Sequence, residues 1–200
     1  MVDLDMVTTN RDTFQQDESY HEVTPKLVEA PLIGVKAKQV SCGDHHTAVC
    51  TEDGLVYTFG KGCMGRLGHG DNMDRKSPSL VKALGGLEGK HITQVQCGDC
   101  HTMALTSSGY VFTWGSTRFG VLGHGERSSL LPVLCLTIPC LVEGLCEQIV
   151  VHIASGPAYC AVIVDSSPST IRQSQQESFN NKERSDVIFM VEHDPIYANT

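Results

Sequence analysis

The chain has 200 residues, of which 40% are hydrophobic and 19% charged, a composition typical of globular proteins rather than of disordered or membrane proteins. Its formal net charge of −8 argues against a general binder of nucleic acid or of anionic membranes, because such binding needs clustered Lys and Arg. The longest apolar stretch, 130–142, contains two prolines and is too short to cross a bilayer.

Residues 1–24 form an acidic N-terminal segment that we expect to be disordered. The segment has one arginine, six acidic residues and no apolar core of the kind that a secretory signal needs. We therefore expect an intracellular protein, either cytoplasmic or nuclear. Because such compartments are reducing, the nine cysteines are expected to remain free thiols that pack as small hydrophobic side chains.

An internal repeat dominates residues 25–164. Segment 40–70 aligns without a gap with segment 95–125 at an offset of 55 residues, and 16 of the 31 positions are identical. A degraded third copy begins near residue 153, where Gly156 matches Gly98, and Tyr159 and Cys160 stand in place of a His-Thr pair. The sequence therefore predicts two complete repeats and part of a third.

Each complete copy has the pattern of short antiparallel strands. Residues 46–51 and 55–59 are rich in Val, Thr, Tyr and Phe, and Asp53-Gly54 lies between them like a tight turn. The second copy repeats this hairpin with strands at 102–106 and 111–114 around Ser108-Gly109. A glycine-rich loop follows, with the sequence Gly-x-Leu-Gly-His-Gly at 65–70 and again at 120–125. Four short strands in fifty-odd residues are typical of a β-propeller blade.

The repeated motifs resemble those of a known family. Cys-Gly-Asp-x-His-Thr and Gly-x-Leu-Gly-His-Gly, joined by Asp-Gly-x-Val-Tyr-Thr-Phe-Gly, are similar to the repeat of the regulator of chromosome condensation family, and the match covers residues 25 to about 164. The resemblance implies a seven-bladed β-propeller. We therefore expect an all-β fold: a partial β-propeller of four-stranded antiparallel blades, which cannot close a ring by itself.

The composition changes after the repeats. Residues 165–185 are rich in Ser, Gln and Asn, and we expect a disordered polar linker. Residues 186–200 read as a strand followed by Pro195-Ile196-Tyr197-Ala198, and they resemble the opening of a BTB/POZ domain, with Asn199 where that family has His. Such a domain needs many more residues, so we expect the chain to be a fragment of a longer protein or a truncated gene model.

Several strings that carry chemistry in other proteins belong to the repeat here. Cys97-Gly98-Asp99-Cys100-His101 spells the attachment motif of c-type haem, but the first copy has the same motif with His45 in place of Cys100. The G-x-G-x-x-G string at 60–65 lacks a following helix, and the second copy replaces its middle glycine by Thr117. We interpret both as blade architecture, and expect neither haem nor a phosphate site.

Zinc is the other chemistry that the sequence suggests. Strand alternation would scatter the candidate ligands over both faces of the sheet, so core packing is favoured over metal binding. These ligands are Cys42, His45, His46, Cys50, Cys63, Cys97, Cys100 and His101.

The histidines of the repeat are expected to be structural. His46 and His101 should hydrogen-bond neighbouring strands or loops within their own blade, and His69 and His124 lie between glycines in a turn. No catalytic, cofactor-binding or metal-ligating residue is predicted, and the partner-binding residues stay unknown at this point.

These observations favour an interaction protein and not an enzyme. Protein partners should bind the loop faces, through residues that differ between blades. The resemblances imply an adaptor or substrate receptor that recruits a cullin-type ubiquitin ligase through a completed BTB domain. The alternative is guanine-nucleotide exchange on a small GTPase, an activity of some proteins with this propeller. The ultraviolet photoreceptors of the same fold need a tryptophan cluster, whereas Trp114 is the single tryptophan of this chain.

Overall fold

The computed structural model describes residues 7–8, 26–28, 32, 34–82, 86–125, 134–165, 186–190 and 196–197. The regular elements of these residues are β-strands and three one-turn 3-10 helices, so the all-β prediction is confirmed. No helix in the described part of the chain is long and apolar enough to cross a membrane. The strands are β1 (Val7–Thr8), β2 (Lys26–Leu27), β3 (Ala37–Cys42), β4 (His46–Thr51), β5 (Val56–Gly60), β6 (Arg75–Leu80), β7 (Ile92–Cys97), β8 (His101–Thr106), β9 (Val111–Ser116), β10 (Cys135–Leu141), β11 (Ile149–Ser155), β12 (Cys160–Asp165), β13 (Asp186–Met190) and β14 (Ile196–Tyr197).

The strands form three four-stranded antiparallel sheets, and in each sheet the spatial order follows the chain. We call them the first blade (β3–β6), the second blade (β7–β10) and the third blade (β11–β14). Strands β1 and β2 form a separate two-stranded pair. The predicted partial propeller with four-stranded antiparallel blades is therefore confirmed.

The predicted hairpin turns lie between the second and third strands of the first two blades. Gly54 has a φ of 78° and Gly109 a φ of 77°, a left-handed conformation that glycine adopts without steric penalty. A threonine at the end of the preceding strand closes each turn. The Thr51 hydroxyl accepts a hydrogen bond from the Leu55 amide, and the Thr106 hydroxyl accepts one from the Tyr110 amide. The two copies therefore share side-chain chemistry as well as sequence.

The outermost strands of the first two blades contain prolines. Pro78 lies within β6 and Pro139 within β10, and each strand has a single neighbour in its sheet. Proline has no N–H to donate, so it is tolerated on an edge strand. The pairing of β10 with β9 is irregular between Leu136 and Cys140, next to Pro139.

The apolar core fills the space between blades. The side chains of β8 and β9 are buried along their whole length because the second blade has a neighbour on both faces. In β3 of the first blade, half-buried and exposed residues alternate, since only one face of that strand is covered in the described structure. The largest fully buried side chains include Trp114, Met103, Ile92 and Ile153.

The third blade draws on two separate parts of the chain. Its first two strands, β11 and β12, come from the degraded repeat copy. Its outer strands, β13 and β14, come from the region that resembles the start of a BTB domain, and β13 pairs with β12 from Cys160–Met190 to Val164–Asp186. A strand near residue 186 is thus confirmed, and it lies in the same sheet as the third repeat.

The expected disorder falls largely outside the described residues. Of the N-terminal segment 1–24 the structure describes Val7–Thr8, which pairs with Lys26–Leu27. Of the linker 165–185 it describes Asp165, which is the last residue of β12 and not the first residue of a linker.

Candidate functional site

Neighbouring blades meet along two contacts, which we call seams. In the first seam β3 and β4 of the first blade contact β7 of the second, and in the second seam β7 and β8 contact β11 of the third. Amide side chains at equivalent positions cross both seams. The Gln39 side-chain oxygen accepts a hydrogen bond from the Val95 amide at 2.9 Å, and that of Gln94 accepts one from the Ile153 amide at 3.2 Å.

His46, the repeated histidine of the first blade, also makes a hydrogen bond across the first seam. His46 Nε2 lies 2.8 Å from Thr102 Oγ1, and the Thr102 hydroxyl donates to the backbone oxygen of Arg66 at 2.7 Å. Because a hydroxyl has one proton to donate, Thr102 accepts from His46, which fixes the proton of the neutral imidazole on Nε2. Burial lowers the pKa of His46 to about 3. The expectation that this histidine bonds within its own blade was wrong.

His101 repeats the arrangement across the second seam. Its Nε2 lies 2.7 Å from Ser155 Oγ, whose proton is donated to the Gly156 carbonyl at 3.2 Å. Cys160 Sγ lies 3.2 Å from the same nitrogen. Burial lowers the pKa of His101 to about 4. Here too the hydrogen-bond partner belongs to the next blade. His101 is the first residue of β8, and its side chain faces the neighbouring sheet.

Glycines of the Cys-Gly-Asp motif allow the blades to approach closely. A β-carbon on Gly98 would lie 2.6 Å from the Gly156 carbonyl oxygen and would also overlap the His101 ring. A β-carbon on Gly43 would overlap the Gly98 carbonyl oxygen and the His46 ring, and one on Gly156 would overlap the ring of Tyr159. Tyr159 therefore occupies the position of the histidine, which confirms the sequence alignment of the third copy.

The loop histidines are structural, as predicted. His69 Nε2 lies 3.0 Å from Thr58 Oγ1, and His124 Nε2 lies 3.0 Å from Thr113 Oγ1. Burial lowers the pKa of His69. Each threonine hydroxyl donates to the backbone of the same loop, at Leu67 or Leu122. These contacts fold each glycine-rich loop back onto its own blade.

The strings that suggested haem, zinc or phosphate fall within this architecture. Burial raises the pKa of the Cys97 thiol to about 12, and Cys97 is enclosed at the first seam. Among the residues that the structure describes, no three His, Cys, Asp or Glu side chains are grouped so that they could hold a metal ion. The G-x-G-x-x-G string at 60–65 ends in a single 3-10 turn, Cys63–Gly65, and a loop follows it.

The loops that follow the first and third strands of the blades lie at one end of the sheets. We call this the loop end; it comprises residues 43–45, 61–74, 98–100, 117–125, 134 and 156–159. Of the eight exposed large hydrophobic residues in the described part of the chain, four are found there: Met73 (66% exposed), Phe119 (58%), Leu134 (63%) and Tyr159 (53%). Exposed aromatic and methionine side chains are enriched at protein-interaction sites.

Two loop-end residues have an unusual backbone conformation. Met64 has a φ of 63° and Phe119 a φ of 60°, and they hold equivalent positions in the two copies. This left-handed region is sterically unfavourable for residues with a β-carbon. Strain of this kind is frequent at functional positions, where the surrounding structure holds it in place. Phe119 combines the strain with an exposed aromatic ring.

Acidic side chains fix the first of these loops. Asp74 accepts a hydrogen bond from the Gly62 amide at 2.6 Å, and Asp71 accepts one from the Met73 amide at 2.9 Å. Asp71 also pairs with Arg75 at 2.7 Å. Partial burial raises the pKa of Asp71, but the Met73 amide and the Arg75 guanidinium outweigh burial and lower the pKa below its ordinary value. Met73 is thus presented from an ordered loop.

Sequence reasoning did not identify Met64, Met73 or Phe119. The available signal was the difference between the copies at one position, where Met64 is replaced by Phe119. Met73 lies beyond the aligned segments 40–70 and 95–125. That signal does not tell which of the many differing residues are exposed.

Comparison with protein-family models supplies the family. The model of the regulator of chromosome condensation (RCC1) repeat matches residues 53–105 and 108–163, more than half of the chain. A second model of the same repeat matches 37–66 and 92–121. The chain belongs to the RCC1 repeat family.

Curated proteins with RCC1-like sequence include much larger chains. The chain is 39% identical over 144 residues to human E3 ubiquitin-protein ligase HERC2, covering 71% of this chain and 3% of HERC2. It is 36% identical over 134 residues to the Arabidopsis thaliana ultraviolet-B receptor UVR8, an alignment that covers 67% of this chain and 28% of UVR8. It is 35% identical over 150 residues to rat probable E3 ubiquitin-protein ligase HERC4, an alignment that covers 75% of this chain and 13% of HERC4. The chain thus spans less than a third of the length of each of these relatives.

Solved structures of RCC1-like proteins share the fold. Human WBSCR16 superposes with a TM-score of 0.69 at 21% identity, covering 92% of this chain and 43% of that structure. Prp20p from Saccharomyces cerevisiae superposes with a TM-score of 0.60 at 17% identity, covering 72% and 34%.

Proposed function

We propose that this chain is a non-enzymatic protein-interaction scaffold that binds a protein partner through its loop end. The proposal depends on one observation: Phe119 is exposed and strained on a loop that is held by a rigid, buried blade. Aromatic and methionine side chains are enriched at the centre of protein interfaces, and Met73 and Tyr159 lie at the same end of the sheets.

We further propose that the partner is recruited for ubiquitin ligation. Two of the relatives, HERC2 and HERC4, are named as an E3 ubiquitin-protein ligase and a probable one, which supports this setting. In its finer form the proposal makes the chain an adaptor or substrate receptor for a cullin-type ligase. That form depends on the resemblance of residues 186–200 to the start of a BTB domain.

Guanine-nucleotide exchange on a small GTPase is the second candidate. The structure of Prp20p is described together with its binding to Gsp1p and histones, so a protein of this fold binds more than one protein partner. A nucleotide-release assay with purified small GTPases and the full chain tests this candidate. Release at the intrinsic rate would reject it.

The scaffold proposal is tested by affinity capture with matched surface variants. Phe119→Asn removes the aromatic ring and introduces a residue that tolerates the left-handed backbone conformation. Leu55→Ser is the control, because Leu55 is 43% exposed at the opposite end of the first blade. We expect the unmodified chain and the Leu55→Ser variant to capture the same protein partners. The Phe119→Asn variant should no longer capture them. Equal capture by all three chains would reject the loop end as the binding surface.

The ligase proposal needs a separate measurement with purified components. Because the resemblance implies that recruitment needs a completed BTB domain, the chain extended by the rest of that domain is mixed with a purified cullin, and the complex is sought by size-exclusion chromatography. A stable complex is expected if residues 186–200 belong to a cullin-recruiting module. If the loop-end partner binds but a cullin does not, the scaffold proposal stands and the cullin form fails.

A further inference from the structure

The first seam contains a cluster of one buried arginine and two thiols. Arg66 is 3% exposed, and its Nη2 lies 3.0 Å from Cys63 Sγ and 3.0 Å from Cys100 Sγ. Cys63 follows the third strand of the first blade, whereas Cys100 precedes the second strand of the second blade. The cluster therefore joins two blades through a single guanidinium group.

Arg66 is buried without a carboxylate partner among the described residues. Its remaining hydrogen bonds go to backbone oxygens, from Nε to Cys63 at 2.9 Å and from Nη1 to Asp99 at 2.8 Å. Burying a charge that lacks an opposite charge is costly. Cys63 and Cys100 are therefore the side chains that accept hydrogen bonds from the buried guanidinium group.

The cluster has no counterpart in the repeat architecture. At the offset of 55 residues, Cys63 corresponds to Arg118 and Arg66 corresponds to Val121. The residue that corresponds to Cys100 in the first copy is His45. Val121 is buried in the second blade, so that blade folds with an aliphatic residue at this position. The arginine and its two thiols are therefore a feature of one seam and not a requirement of the fold.

The two thiols also differ from the cysteines of the core. Cys63 and Cys100 are partly exposed, whereas Cys50, Cys97 and Cys160 are buried. Burial raises the pKa of the Cys50 thiol to about 11, and that of the Cys160 thiol to about 12. A reagent from solvent can thus reach the arginine cluster, while the core thiols stay protonated.

We propose that Cys63 and Cys100 form a peroxide-sensitive thiol pair that closes a disulfide between the first and second blades. One thiolate attacks the O–O bond of hydrogen peroxide and becomes a sulfenic acid, and the departing hydroxide takes a proton to form water. The second thiol attacks the sulfenic sulfur, the S–O bond breaks and a second water leaves. Two thiols and one peroxide therefore give one disulfide and two waters, with two electrons passing from sulfur to peroxide.

The reaction requires the two sulfurs to move toward each other. Both sulfurs contact the same nitrogen, so their separation cannot exceed the sum of the two 3.0 Å distances. A disulfide needs the sulfurs about 2 Å apart, and Nη2 of Arg66 must withdraw from between them. The bonds of Nε and Nη1 to backbone oxygens can hold the rest of the guanidinium in place.

The test is site-resolved oxidation of the full chain. The protein is treated with hydrogen peroxide, remaining thiols are alkylated, and peptides are identified by mass spectrometry. We expect a cross-linked pair that contains Cys63 and Cys100. We also expect both to be lost faster than Cys42, an exposed thiol without an arginine contact among the described residues.

Three results would overturn the proposal. The first is oxidation of Cys42 before Cys63 and Cys100, because exposure alone would then set the reactivity. The second is a disulfide between Cys97 and Cys100, which would make the C-x-x-C string the reactive pair. The third is sulfenic acid at Cys63 or Cys100 that never yields the cross-link.

Variants separate reactivity from folding. Cys63→Ser and Cys100→Ser keep a small polar group beside Arg66, and each should abolish the cross-link while a sulfenic-acid probe labels the remaining thiol. Arg66→Val introduces the residue of the second blade and should slow the oxidation of Cys63 and Cys100 to the rate of Cys42. If Arg66→Val does not fold, the two serine variants still decide the pairing. Unchanged oxidation in a folded Arg66→Val chain would show that the arginine does not activate the thiols.

Discussion

The imidazole of His46 and the hydroxyl of Thr102 are joined by a 2.8 Å hydrogen bond across the first seam, and both side chains are buried. The Thr102 hydroxyl donates a hydrogen bond to the backbone carbonyl of Arg66. The same carbonyl also accepts a hydrogen bond from Trp114 Nε1 at 3.0 Å. One carbonyl of the first blade thus receives two donors from the second. The blades are joined by oriented hydrogen bonds as well as by apolar packing.

Replacing Thr102 by valine should destabilise the protein. The substitution keeps the shape of the side chain but leaves the His46 N–H without its acceptor, at an expected cost of about 2 kcal/mol of unfolding free energy. Thr47→Val is the matched control, because Thr47 holds the equivalent position in the first blade and is only partly buried. That control should change stability by less than about 0.5 kcal/mol. Urea unfolding followed by Trp114 fluorescence measures both, and equal losses would contradict the role of the seam.

Acid should loosen both seams. The pKa values of His46 and His101 are lowered from 6.5 to about 3 and about 4, so the folded state binds fewer protons than the unfolded state between those values. The stabilisation from neutral histidines is present above pH 6.5 and is lost as the pH falls toward about 4 for His101 and about 3 for His46. Below pH 6 each histidine should remove about 1.4 kcal/mol of unfolding free energy per pH unit.

The acid effect is measured by denaturant unfolding at a series of pH values. His46→Gln is the informative variant, since it removes one of the two titrating groups and should reduce the slope by about one proton. His46 Nδ1 is buried without a hydrogen-bond partner in the described structure, so protonation there would place a charge in a site that offers it no acceptor. A stability that is independent of pH between 6.5 and 4 would exclude this explanation.

Gly43→Ala should be strongly destabilising. The new β-carbon would overlap the Gly98 carbonyl oxygen and the His46 ring, so the blades would have to separate, at a cost of about 2 to 3 kcal/mol. Gly144→Ala is the control, because a β-carbon there meets nothing within 4 Å. Thermal unfolding of the two variants should give a lowered midpoint for the first and a near-normal midpoint for the second. Similar midpoints would mean that the first seam relaxes without loss.

Phe119→Asn should stabilise the fold while it weakens partner binding. Asparagine tolerates a φ of 60° better than phenylalanine does, and the lost ring is largely exposed, so we expect a gain of about 0.5 kcal/mol. The measurement is again the urea midpoint, compared with the loss of captured partner. A variant that is less stable and still binds would show that the strained ring serves the fold and not a partner.

The repeated part of this structure could be predicted because its signals are local. Asp53-Gly54 between two β-rich runs predicts the first hairpin, and the identities at an offset of 55 transfer that prediction to the second blade. The degraded copy was correctly aligned through Gly156. These inferences need neighbouring residues and a register, and no knowledge of how blades pack.

The partners across the seams could not be predicted in the same way. The internal repeat shows that His46 and His101 are equivalent. It cannot reveal whether each histidine hydrogen-bonds a residue of its own blade or of the next blade. Arg66 was missed for the opposite reason, since it is not repeated and its thiol contacts come from residues 3 and 34 positions away. The pairing of β13 with β12 spans a stretch of chain that has no periodic signal.

Equivalent side chains of successive blades make hydrogen bonds at both seams. His46 donates to the second blade, His101 donates to the third, and Gln39 and Gln94 receive backbone amides from the blade that follows. Each blade therefore has a front surface and a back surface that carry different groups, and the described blades pack head-to-tail. Such a contact favours ring closure or ordered extension over symmetric dimers. Any unit that meets β3 of the first blade should bring a donor for Thr47.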